Sequence, residues 1–178
     1  MKNVLIISTS LRGGSNSELL AKECAKGAEE AGNRVELLSL KGKKIQYCIG
    51  CLACLKTGKC VQKDDAPEIM EKLRRADVLV FATPIYYYEM SGQMKTLLDR
   101  ANSLYAADYA FREIYLLTSA ADEPDSVPER ALHGLEGWIE CFEGVTLAGS
   151  VFAGGVNKPG EIEGHAALKQ AYEMGRNV

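Results

Sequence analysis

The strongest constraint on what this chain can fold into is a regular alternation: short apolar, strand-like runs are each followed by a segment whose apolar residues recur at helical spacing. Five such pairs run along its 178 residues. Residues 4–7 are a β-branched-rich run, and Leu20, Cys24, Ala28 and Ala31 fall on one helical face that Gly32 terminates. Residues 34–40 alternate apolar with polar. After a cysteine-rich stretch, Asp65-Ala-Pro-Glu68 has the spacing of a capping box ahead of Ile69, Met70 and Leu73. Residues 77–83 read as the most buried strand, and Ser91 is placed to cap a helix turning Met94, Leu97, Leu98, Ala101 and Leu104 inward. Residues 114–118 form a fourth strand. A second capping box, Ser126-Val-Pro-Glu129, precedes Leu132, Leu135, Trp138, Ile139 and Phe142; a strand over 145–153 and a helix over 161–175 close the series. The expected fold is α/β, a doubly wound five-stranded parallel sheet of order 2-1-3-4-5 with helices on both faces.

With 47% hydrophobic residues the chain can build a sizeable core, and residues 1–178 read as one domain. Residues 41–64 are the irregular stretch, too long for an ordinary connection, and are expected to be functional or an ordered insertion. Twenty-one Lys and Arg against twenty-four Asp and Glu leave a net charge of -3, without the basic footprint of a nucleic-acid partner. The N-terminus lacks a secretory apolar region, and the uncharged run over 78–88 is too short to span a bilayer, so no membrane partner and a cytoplasmic location are expected. Cys48, Cys51, Cys54 and Cys60 crowd into thirteen residues, which in a reducing compartment suggests metal or redox chemistry before disulfides.

In a doubly wound sheet the ligand lies beyond the carboxyl ends of the strands where the order reverses, here between the first and third strands. The loop after the first strand offers Ser10, Arg12, Ser15, Asn16 and Ser17 at a helix N-terminus, a pocket for a phosphate. The loop after the third carries Tyr86, Tyr87 and Tyr88 in succession, which suits a flat ligand or a partner chain. Together they fit an aromatic mononucleotide. The chain has no G-x-x-x-x-G-K-[ST] loop, no G-x-G-x-x-G after the first strand and no G-x-S-x-G elbow, which argues against NTPases, Rossmann dinucleotide sites and α/β-hydrolases. The first loop lacks the carboxylates of a receiver domain and the nucleophilic cysteine of a phosphatase.

These residues resemble the flavodoxin-like, NAD(P)H-dependent FMN reductases, and among them the iron–sulfur flavoproteins. The resemblance rests on Ser10-x-Arg12-x-x-Ser15-Asn16-Ser17, on Thr83-Pro84-Ile85-Tyr86 with Met94-Lys95 and Leu98-Asp99-Arg100, on Cys48-x-x-Cys51-x-x-Cys54 with Cys60 and Asp64-Asp65, and on Ala171-Tyr172-Glu-Met-Gly175. The first loop departs from the usual G-S-P-R opening by having Leu11 for proline. The resemblance implies FMN, its phosphate in the first loop and its isoalloxazine against Pro84, Ile85, Tyr86 and Tyr87 and against Thr118 and Ser119. It implies hydride transfer from NAD(P)H to a flavin, quinone or similar small-molecule acceptor, with no obligatory side-chain acid or base. Neither His133 nor His165 is given a role. The alternative is an iron–sulfur flavoprotein or flavodoxin-like carrier that passes electrons to protein partners. The C-x2-C-x2-C-x5-C loop is compatible with a [4Fe–4S] cluster, with zinc, or with no metal. A homodimer or homotetramer is expected, since Tyr87, Tyr88, Met90, Tyr105, Tyr109 and Phe111 would otherwise leave aromatic surface in water.

Overall fold

The computed structural model describes residues 1–105 and 107–178. Its strands are β1 (Asn3–Ser8), β2 (Arg34–Ser39), β3 (Val78–Tyr86), β4 (Glu89–Met90), β5 (Glu113–Ser119) and β6 (Thr146–Ala153). Its helices are α1 (Asn16–Glu30), α2 (Ala53–Thr57), α3 (Ala66–Arg75), α4 (Gly92–Asp99), α5 (Glu129–Ile139) and α6 (Ala166–Arg176), with a 3-10 turn over Arg100–Ser103 after α4. Five strands run parallel in the order β2-β1-β3-β5-β6, which is the expected 2-1-3-4-5 with the numbering shifted by the short hairpin strand β4. Among the described residues no helix is long and apolar enough to cross a membrane.

Alternation along each central strand divides the core in two, because successive side chains point to opposite faces of the sheet. Leu5, Ile7, Leu79, Phe81, Ile114 and Leu116 face α3, α4 and α5, whereas Val4, Ile6, Val78, Val80, Leu117 and Val151 face α1 and α6. Helices α1 and α6 touch through glycine. A Cβ built on Gly175 would stand 2.0 Å from the Cys24 carbonyl oxygen, and one on Gly27 would stand 2.1 Å from that of Tyr172. The two backbones therefore lie closer than any side chain would permit.

Local signals in the sequence resolve unevenly. Ser91 caps α4, its hydroxyl accepting the Met94 N–H at 3.3 Å. Neither expected capping box forms. Asp65 has helical backbone angles and its carboxylate accepts the Lys44 N–H at 2.6 Å instead, while α5 begins after Pro128 with no side-chain cap. Helix α6 starts at Ala166 rather than 161, and the ring nitrogen Nδ1 of His165 caps it by accepting the Ala167 N–H at 3.1 Å. The third strand does not stop at Thr83: it runs through Pro84 and Ile85 to Tyr86, pairs with β5 as far as Ser119, and turns back through Tyr87 and Tyr88 into β4.

Much of the aromatic surface expected to need a partner is internal. Phe111 is fully buried, stacked with Tyr109 and Trp138 and edge-on to Phe142, and Met90 is buried beneath the hairpin. Tyr86, Tyr87, Tyr88 and Tyr105 remain exposed.

Candidate functional site

The loop between β1 and α1 is shaped by its own hydrogen bonds. Ser15 caps α1 by accepting the Glu18 N–H at 3.2 Å, and the Glu18 carboxylate reaches back to the Gly14 N–H at 2.9 Å, so Ser15 and Glu18 close the first turn from both sides. Gly14 supplies the φ of +66° that the turn into the helix requires. A hydrogen bond from Lys22 and the one from Gly14 hold the Glu18 carboxyl below the usual glutamate range. Beneath the loop, three buried hydroxyls tie it to the neighbouring strand. Thr9 donates to the Ala82 carbonyl (3.1 Å) and lies 3.1 Å from the Ser91 hydroxyl, while Thr83 accepts the Ser91 N–H (3.1 Å) and donates to the Ser91 hydroxyl (3.0 Å).

Above this floor a cleft of about 170 Å³ opens at the carboxyl ends of β1, β3 and β5. Its walls bring together Ser10, Arg12, Ser15 and Asn16 from the first loop, Pro84, Ile85 and Tyr86 from β3, and Ser119 with Ala120 and Ala121 beyond β5. Among the described residues Arg12 is the one charged side chain on these walls. Three of the expected residues lie off them. Ser17 is buried with its hydroxyl 3.5 Å from that of Ser15, Thr118 donates inward to the Val151 carbonyl at 3.3 Å, and Tyr87 projects fully into solvent.

A fourth wall has no counterpart in the sequence reading: Val156, Asn157 and Pro159, from the segment after β6. Arg12 donates to the Asn157 carbonyl (3.2 Å), and Asn16 donates to the Lys158 carbonyl (3.0 Å) while accepting the Ile162 N–H (3.2 Å). Glu161 adds a brace, its carboxylate accepting the N–H groups of Asn157 and Lys158, and those bonds hold its carboxyl below the usual range. A larger hollow of about 520 Å³, between α3 and the 3-10 turn, shares no residue with the strand-end loops, and its Arg74 and Arg75 are already paired with Glu71.

At the cleft edge Tyr87 (φ +52°) and Tyr88 (φ +65°) form a two-residue turn in which both backbones are left-handed, the geometry that favours Asn and Gly. Each non-glycine residue held there costs about 1–2 kcal/mol. Tyr88 is anchored, donating its hydroxyl to the Asp122 carboxylate at 3.1 Å beneath the Arg130 guanidinium; Tyr87 is not.

The cysteine-rich stretch is an ordered loop. Left-handed backbone at Gly50, Leu52 and Gly58 curls it around a hollow of about 20 Å³ lined by Cys48, Cys51, Cys54 and Cys60, with Arg100 and Asn102 behind. Burial, then the neighbouring Cys60, Cys48 and Cys51, push the Cys54 thiol up. Among the described residues no three Cys, His, Asp or Glu side chains converge on a point that could hold a single metal ion. Cys24 is separate: it is fully buried in the α1 face of the core, and burial pushes its thiol up to about 12.

Comparison with known proteins identifies the family and the fold. The sequence profile of the family described as NADPH-dependent FMN reductase matches residues 2–155. The chain is 31% identical, over its whole length and 79% of the relative's, to an iron-sulfur flavoprotein of Archaeoglobus fulgidus. It is 26% identical, over 84% of itself and 79% of the relative, to an iron-sulfur flavoprotein of Methanosarcina thermophila. Its fold is similar to that of an NAD(P)H:quinone oxidoreductase from Methanothermobacter marburgensis, with a TM-score of 0.74, 18% identity, and 99% and 98% of the two chains covered. On these grounds the chain belongs to the NADPH-dependent FMN reductase family and is a flavodoxin-like oxidoreductase.

Proposed function

We propose that the cleft holds FMN and that the chain uses it to carry electrons from NAD(P)H to a flavin, quinone or similar small acceptor. The observation that carries this reading is the convergence of the three strand-end loops, with one cation, on a single cleft at the point where strand order reverses. FMN, when bound, supplies a ring that takes a hydride from a nicotinamide and gives up electrons again. Arg12 supplies positive charge to its phosphate, and Ser10, Ser15 and Asn16 supply polar groups at the N-terminus of α1, where the helix dipole favours an anion. Ser17 braces this turn from beneath. Pro84, Ile85 and Tyr86 border the ring from β3 and Ser119 from β5; Thr118 sets the end of β5 by its bond to Val151, and Tyr87 lies at the open edge.

We further propose that Cys48, Cys51, Cys54 and Cys60 ligate a [4Fe–4S] cluster, which when bound passes electrons one at a time. What supports this reading is that four thiols from one short loop line a single hollow, a donor set that suits iron–sulfur ligation. The same ring favours, as a second reading, a carrier that hands electrons to protein partners. All six cysteines are unbridged, which supports a reducing, cytoplasmic setting. Exposed Tyr86, Tyr87 and Tyr88 at the cleft edge support a homodimer or homotetramer with this edge at the interface.

The test is calorimetric titration of the flavin-free protein with FMN. Arg12→Ala removes a charged hydrogen-bond donor, worth about 1.5–3 kcal/mol, so affinity should fall about 10- to 150-fold. Wild-type affinity in the variant would move the phosphate elsewhere. Iron and acid-labile sulfide assays on anaerobically reconstituted protein test the cluster.

A further inference from the structure

The buried guanidinium of Arg100 has no part in the cleft, yet it donates four hydrogen bonds to the cysteine-rich loop. Its side chain is 1% exposed and forms a two-point ion pair with Asp64, itself 2% exposed, at 2.5 and 3.0 Å. The same fork donates to the Gln46 carbonyl at 2.8 Å and to the Cys60 sulfur at 3.2 Å, while Nε is left without a partner. One residue thus joins the entry of the cysteine loop, at Gln46, to its exit, at Asp64, and to one of the four thiols. Asn102, two residues along the same 3-10 turn, donates to the Cys48 sulfur at 3.7 Å. Among the described residues Cys51 and Cys54 receive no side-chain donor.

We infer that Arg100 is the positioning residue of the four-thiol site: it holds the loop closed and fixes a positive charge against the sulfur of Cys60. The inference rests on the cluster reading above. A buried ion pair is seldom retained for stability alone, since desolvation offsets most of its attraction. Its fork geometry, which a lysine cannot reproduce, is what closes the loop. The fixed charge favours whichever state of the site carries more negative charge, so it raises the reduction potential of a cluster bound there.

The test uses Arg100→Met and Arg100→Lys in the full chain, with dithionite as the one-electron reductant and the midpoint potential read spectroscopically. Arg100→Met should shift the cluster's reduction equilibrium about tenfold toward the oxidised form, about 59 mV downward for one electron. Arg100→Lys, which keeps the charge and loses the fork, should restore most of that shift. In metal-free protein both variants should lose protection of the lysine-rich loop over 41–64 against trypsin. If Arg100→Met will not load iron, the Arg100→Lys potential and the trypsin rates decide. Wild-type and Arg100→Met proteins that load four iron and four sulfide at the same potential would overturn the inference and leave the cluster reading intact. A wild-type protein that loads no iron overturns both.

Discussion

Replacing Gly175 by alanine should unfold the protein more easily, against the intrinsic preference of a helix for alanine. The new Cβ would sit 2.0 Å from the Cys24 carbonyl oxygen, 2.9 Å from its carbon and 3.0 Å from the Ala28 nitrogen, all main-chain atoms that no rotamer change can move aside. To restore an ordinary contact α6 must shift away from α1 by on the order of 1 Å, opening the packing around Ala167 and Ala171. Overpacking of this kind costs about 1–3 kcal/mol, occasionally more, and the helix propensity gained returns at most about 1 kcal/mol. With main-chain atoms on both sides of the clash the cost falls in the upper part of that range, so even after the full propensity gain the net is a loss of about 1–2 kcal/mol, a fall in Tm of about 2–8 °C for a chain of this size. Gly137 is the control of opposite sign: it lies in α5, a Cβ there meets nothing within 4 Å, and Gly137→Ala should raise stability by up to about 1 kcal/mol. Urea unfolding followed by circular dichroism, with unchanged denaturant slopes, measures both. A Gly175→Ala protein at least as stable as the wild type would show that the two helices do not meet backbone to backbone.

Tyr87 holds a left-handed backbone and makes no compensating contact within its own chain, so in protein diluted to the monomer Tyr87→Asn should raise the unfolding free energy by about 0.5–1 kcal/mol; a lower Tm there would mean the tyrosine is anchored after all. Glu18 has its pKa lowered in the fold, so its contribution is present above the unfolded glutamate value and is lost as pH falls through the lowered one. Glu18→Gln should therefore be less stable than wild type at pH 7, by about 0.3–1 kcal/mol, with the two converging in acid once the carboxylate is protonated in both the folded and the unfolded chain. A gap that persists unchanged in acid would assign the loss to something other than the carboxylate's charge.

The strand order and the two-faced core were legible because side-chain alternation is written directly into residues 4–7, 78–82 and 114–117. The capping boxes show the limit of such motifs. Asp65 and Ser126 have the right spacing but give up the role, Asp65 because the Lys44 N–H claims its carboxylate, whereas Ser15-Asn-Ser-Glu18, read only as a phosphate loop, closes the first turn of α1. Pro84 and the tyrosine run made the end of β3 look like a loop. In the structure Pro84 pairs with Ser119 and the strand continues into its hairpin. Of the expected cleft residues, Thr118 is buried within β5 with its hydroxyl committed to the Val151 carbonyl, whereas Ser119, the last residue of the strand, reaches the cleft. The wall at Val156, Asn157 and Pro159 was not foreseen, because besides the local Glu161 brace it is fixed by Arg12 and Asn16, which lie far away in the sequence.

That manner of attachment has an evolutionary consequence. Arg12 and Asn16 grip carbonyls and an N–H of residues 157, 158 and 162, atoms that nearly every amino acid possesses. Apart from Glu161, whose carboxylate braces the turn, and the buried Ile162, the side chains of this segment are therefore free to change without releasing it from the cleft. On the proposed FMN reading of the cleft, natural drift, or a designer, can rewrite this one wall to admit a different acceptor while the residues assigned to the cofactor stay as they are.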